Sequence, residues 1–204
     1  MRSIFTVFAV AAATLAAAPA GAQIPLVGST TGCFGAGCTP TSPSASVTAT
    51  GGTLTFTGSS FSNTTVPATN SASFSDLGRL QFAGGGNGTF TLPFAVRFTF
   101  TSPGTLASAP TLGGDVSGTV TVTGQDISYT FNDFLGPVVF APGGETLTRI
   151  RISDGFVDTS TGQATLQGRV TVLPASVVPE PSTYALMGAG LAGLVAAARR
   201  RRVA

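Results

Sequence analysis

Histidine, tryptophan and lysine are absent from this chain, and charged residues make up only 9% of it. Without histidine, Ser-His-Asp and Cys-His arrangements cannot be assembled and His-based metal sites are excluded. With no lysine and no run of basic residues in its middle, the chain offers nucleic acid no electrostatic footprint. No glycine-rich phosphate loop leads into a helix, because no segment between the two ends has helical periodicity. The remaining catalytic option is a carboxylate pair of the kind glycosidases use. Asp126 and Asp133 flank one hairpin arm, and Asp154 and Asp158 share a turn. Aspartates beside glycine usually serve turn chemistry. We therefore expect no catalytic residue, no cofactor and no metal.

What charge there is sits mostly at the ends. The formal charge is +2. Five of the ten arginines, Arg2 and Arg199 to Arg202, lie in the terminal segments. The middle keeps Arg79, Arg97, Arg149, Arg151 and Arg169 against six aspartates and Glu145, so its charge is 5 − 7 = −2.

At the N-terminus, Arg2 precedes an apolar run from Ile4 to Ala18, and Ala20-Gly21-Ala22 forms an A-x-A site before Gln23. This is the pattern of a secretory signal peptide, with Ala20 and Ala22 at the signal-peptidase site. We assign residues 1–22 to it. Cysteine use agrees with export. Cys33 and Cys38 are separated by glycines and are expected to close a local disulfide in an oxidising compartment. So short a ring stabilises by roughly 2 kcal/mol at most. A metal site is the alternative, but no histidine or third cysteine completes a zinc ligand set.

The C-terminus has three parts: Val-Val-Pro-Glu-Pro-Ser-Thr at 177–183, an apolar stretch from Tyr184 to Ala198, and Arg199-Arg200-Arg201-Arg202. The arginines act as a stop-transfer signal and would hold that end in the cytoplasm. The apolar stretch spans roughly 23 Å as a helix, short of a hydrocarbon core of about 30 Å. Glycines at 188, 190 and 193 weaken it further. It reads as a short transmembrane helix, marginal as a permanent anchor and adequate as a transient one. Ala185, Ala189, Gly193 and Ala197 fall on one helical face and would permit close helix packing, although any Ala/Gly-rich segment produces such a stripe.

These three parts together resemble the PEP-CTERM sorting signal. The resemblance implies an exported protein of a Gram-negative bacterium, handled by a membrane enzyme of the exosortase type. Pro179, Glu180 and Pro181 would be its recognition residues within the sorting tail, 174–204, and the tail would be cut or exchanged in processing. The alternative is an ordinary tail anchor with a stiff Pro-Glu-Pro spacer. The resemblance further implies an inner-membrane intermediate with a cytoplasmic C-terminus, then the cell surface or extracellular matrix, with extracellular polysaccharide as a possible partner.

Between the ends, residues 23–46 read as the Cys loop followed by a Pro/Ser/Thr linker, with the domain at 47–173. There the period is two. Phe90, Leu92, Phe94, Val96, Phe98 and Phe100 alternate with Thr91, Pro93, Ala95, Arg97 and Thr99, which a strand gathers on one face. Pro93 cannot donate to a ladder, so this strand is expected at an edge or broken by a bulge. Val116, Val120 and Val122 followed by Ile127, Tyr129 and Phe131 read as a hairpin. Ala164, Leu166, Val170 and Val172 read as a last strand. Thr53–Gly58, Arg79–Phe82, Pro137–Phe140 and Thr146–Ser153 carry weaker patterns.

The expected fold is all-β, an antiparallel β-sandwich of about 8–10 strands with a phenylalanine-rich core and Thr/Ser outer faces. β-rich bodies before such a tail resemble the choice-of-anchor domains of bacterial surface proteins. The loop 154–161 could offer oxygens to Ca²⁺ but matches no defined calcium loop. Asn63 and Asn87 open N-x-[ST] triplets. The expected role is a non-enzymatic structural or adhesive protein of the envelope. A carbohydrate-binding module is the second reading and a carboxylate-based hydrolase the third.

Overall fold

A computed structural model describes residues 23–121, 124–175, 187–194 and 199. Residues up to Pro174 belong to one compact unit, and those from Ala175 on to a second. The described part of the first unit is all-β and its strand pairs are antiparallel.

In chain order its fifteen strands begin with β1 (Pro25–Phe34), β2 (Ser44–Ala49), β3 (Gly52–Thr57), β4 (Ser60–Thr64), β5 (Ser71–Phe74), β6 (Arg79–Gly84) and β7 (Gly88–Ser102). They continue with β8 (Thr105–Leu106), β9 (Thr111–Thr121), β10 (Gly124–Phe131), β11 (Phe134–Ala141) and β12 (Thr146–Ile152). The last are β13 (Gly155–Val157), β14 (Gln163–Thr165) and β15 (Gly168–Leu173).

They form a six-stranded sheet in the order β13-β10-β9-β7-β1-β4, a five-stranded sheet β5-β15-β12-β11-β8 and a four-stranded sheet β14-β6-β3-β2. The two smaller sheets make one layer. β5 runs into β6 and β14 into β15, and across the junction Leu77 N–H donates to Leu166 O and Leu166 N–H to Gly78 O, both at 2.8 Å. The register steps there from Thr165↔Arg79 to Gly168↔Phe74, so residues 75–78 face only 166–167. Such a bulge bends both lines of chain together.

Phenylalanines join this layer to the six-stranded one. Phe56 meets Phe94 edge-on at 5.2 Å, Phe82 stacks on Phe90 at 5.8 Å, Phe61 meets Phe74 at 5.0 Å and Phe100 meets Phe140 at 5.4 Å. Stacked and T-shaped pairs at these spacings are the favoured arrangements. The result is a two-layer sandwich.

Four expectations are corrected. Among the described residues the strands number fifteen rather than about 8–10, because Ser- and Gly-rich strands such as β1, β4 and β5 show no apolar alternation. The last strand is also cut in two at Leu166. Residues 23–46 are no linker ahead of the domain. β1 lies between β7 and β4, and Ile24 and Leu26 are buried in the core.

Pro93, finally, lies in an interior strand. β7 is flanked by β9 and β1, but β1 ends at Phe34, opposite Phe94. Beyond it Gly35 N–H donates to Pro93 O at 2.8 Å. The proline therefore sits where the ladder on that side is ending and its missing N–H costs little.

Gly124 pairs with Thr121 and Asp126 with Thr119, so Gly124, Gln125 and Asp126 belong to the strand. Val122 lies outside the described residues.

In the second unit, residues 187–194 are helical and exposed. Among the described residues no helix is long and apolar enough to cross a membrane. The rest of the expected span 184–198 lies outside them.

Candidate functional site

Cys33 and Cys38 are joined as a disulfide with Cα atoms 6.0 Å apart. Cys33 lies near the end of β1, paired with Ala95 of β7. The bridge closes the turn through Gly35 and Gly37, both at positive φ, where glycine is the unstrained choice.

The four candidate aspartates make different contacts. Asp126 points outward from β10, near Thr89, Thr119 and Ser128 on the six-stranded sheet. Asp133 follows β10 and binds Arg149, whose Nε donates to its Oδ2 at 2.8 Å. Asp154 accepts from Phe131 N–H at 3.3 Å. Asp158 accepts from Ser160 N–H at 2.8 Å and from Ser160 Oγ–H at 2.6 Å. Those Ser160 bonds hold its carboxyl below the usual carboxylate range. Asp154 and Asp158 flank β13 at opposite ends, the first tied to β10 and the second to its own turn. Among the described residues no group of three or more acidic or cysteine side chains is placed to hold a metal ion.

Tyr129 packs inward against Phe131, with ring centroids 6.2 Å apart. Burial, helped by the Asp154 carboxylate, pushes its hydroxyl pKa up. A Cβ at position 155 would collide with this ring, which accounts for Gly155. Of the two N-x-[ST] asparagines, Asn63 uses its amide to donate to Ser73 O at 2.6 Å, tying β4 to β5. Asn87 is exposed.

Sequence reading missed one cluster altogether. Arg149 and Arg151 alternate with buried Ile150 and Ile152 on β12, and Arg169 precedes buried Val170 on β15. Alternation sends all three to the outer face, and the register places Arg151 directly opposite Arg169 and Arg149 opposite Thr171. On the other side of β15, Arg169 pairs with Ser73 and Thr171 with Ser71.

The face so formed is an open groove of about 520 Å³. Hydroxyls border it, and Thr69 Oγ1 and Ser71 Oγ lie 2.8 Å apart within it. Three of the body's five arginines converge here, although no run of basic sequence announces them. Asp133 neutralises Arg149 and stands 3.8 Å from Arg151. Arg169 has no carboxylate partner among the described residues.

In the tail, Arg199 is helical and exposed. Pro179, Glu180, Pro181, Arg200, Arg201 and Arg202 lie outside the described residues, as do Ala20 and Ala22.

Residues 177–202 match the family model of the PEP-CTERM protein-sorting motif, so the chain carries that motif at its C-terminus. No curated protein and no solved structure matches the chain.

Proposed function

We propose that this chain is an exported, non-enzymatic envelope protein whose tail is handled by an exosortase-type membrane enzyme. The match at 177–202 carries this reading. Pro179, Glu180 and Pro181 form the motif the enzyme recognises. The span 184–198 holds the chain in the inner membrane, and Arg199 to Arg202 keep its end cytoplasmic. An apolar stretch too short for a comfortable span suits a temporary anchor. Cleavage after Ala22 starts the mature chain at Gln23, and the β-sandwich is displayed at the surface or in the matrix as a structural or adhesive module. The structural bonds of three candidate carboxylates support the non-enzymatic reading: Asp133 holds Arg149, Asp154 accepts from Phe131 N–H and Asp158 caps its own turn through Ser160.

The intact mass of the protein from membrane and released fractions tests this. A species running from Gln23 to about Pro181 in either fraction is expected. A mass spanning Gln23 to Ala204 throughout would mean a stable anchor and overturn the processing step. Glu180→Ala should leave the chain exported but unprocessed at its C-terminus.

A further inference from the structure

We propose that the arginine groove on the outer face of the five-stranded sheet binds a carboxylate-bearing saccharide. Like charges placed directly opposite on neighbouring strands destabilise a sheet, and Arg151 and Arg169 are such a pair. The outward positions beside them are Ser73 and Thr171, and a threonine or serine would serve at 169 without that cost. Arg169 keeps its guanidinium donors free of any carboxylate among the described residues, over an open groove. A planar guanidinium matches a planar carboxylate through two parallel hydrogen bonds.

The rest of the lining selects the carrier of that carboxylate. Hydroxyls from Ser73 and Thr171 line the groove with the Gln167 amide, and they can both donate to and accept from sugar hydroxyls. The one ring in the lining, Phe74, is buried at 6% exposure. A neutral sugar therefore finds no exposed aromatic platform, and an acidic peptide finds little apolar surface for its side chains. Charge and hydroxyl pairing must supply the affinity. Three arginines line the groove, with Asp133 against two of them, in a body whose charge is otherwise negative, so the attraction is local. The proposal draws on the exported reading only for where such a saccharide is met.

The test is a titration of the purified full chain in mild detergent. The probes are an oligogalacturonate, its carboxyl-reduced counterpart, an oligoglutamate of equal length, and inorganic sulfate at matched ionic strength. We expect the oligogalacturonate to bind and the reduced sugar not to. Arg169→Gln should weaken binding at least about tenfold, the loss of a hydrogen-bonded charge, while leaving the thermal midpoint equal or higher. Arg97→Gln removes the same charge from the six-stranded sheet and should change nothing. Equal binding of the reduced sugar, or an equal loss in Arg97→Gln, would overturn the site. Sulfate or oligoglutamate binding as tightly as the uronate would overturn the saccharide, and failure of every probe to bind would overturn both. None of these outcomes depends on whether the tail is processed.

Discussion

β1 and β7 lie side by side in the six-stranded sheet and turn alternate residues into the same core. β7 contributes Phe94, Val96, Phe98 and Phe100, whereas β1 contributes Leu26, Gly28, Thr30 and Gly32. The register sets small residues beside large ones, with Gly28 opposite Phe100, Thr30 opposite Phe98 and Gly32 opposite Val96. The room left above the glycines is taken from elsewhere. A Cβ on Gly32 would strike the Phe56 ring of β3, and one on Gly28 the Phe61 ring of β4 and the Thr99 carbonyl. Apolar bulk is thus a property of the layer and not of each strand, as dense packing requires. A strand can be fully interior and carry almost no hydrophobic pattern.

Breaking the large side of this pairing should cost most. Phe98 is fully buried, and Phe98→Ala should destabilise by about 3–5 kcal/mol, read from the denaturant midpoint. On the small side, Gly32→Ala forces a methyl into the Phe56 ring and should cost about 1–3 kcal/mol by overpacking. Adding Phe56→Leu should recover part of that loss, because the two positions share one space. A neutral Gly32→Ala would break the comparison, since β1 would then have no need to be small.

Thr30 sharpens it. Its hydroxyl donates to Leu77 O at 2.8 Å and accepts from Ser59 N–H at 3.0 Å. Thr30→Val keeps the shape, orphans both groups and should cost about 1–3 kcal/mol, in the same assay.

The smallest effect belongs to Tyr129, the polar ring of β10 in the same layer. Its folded pKa is raised, so its contribution is intact below the unfolded value of about 10 and is lost as pH rises through the folded one. Stability should therefore fall in strong alkali, and Tyr129→Phe should flatten that limb of the pH curve.

The comparison explains what could be read from the residues alone. β7, the β9–β10 pair and β15 announce themselves through alternating Phe, Val and Ile, and β12 does so more weakly. β1 hides because most of its inward positions are glycine and threonine. β4 and β5 hide because a single phenylalanine among serines makes no period. The arginine groove was legible only in part. Arg149-Ile150-Arg151-Ile152 shows that both arginines face outward, but nothing local says that Arg169 stands opposite Arg151. That juxtaposition is a fact of register, and register follows from strand order across the layer. The PEP-CTERM motif lies at the other extreme, since a linear signal read by a partner needs no fold to be recognised.

The position of β15 has a consequence for timing. It is an interior strand, held between β5 and β12, and it ends at Leu173, three residues before the motif opens at Val177. The five-stranded sheet therefore stays open along its middle until the last stretch of the body has been delivered. Whatever reads the motif at 177–202 therefore reads a segment that follows directly on the strand completing this sheet.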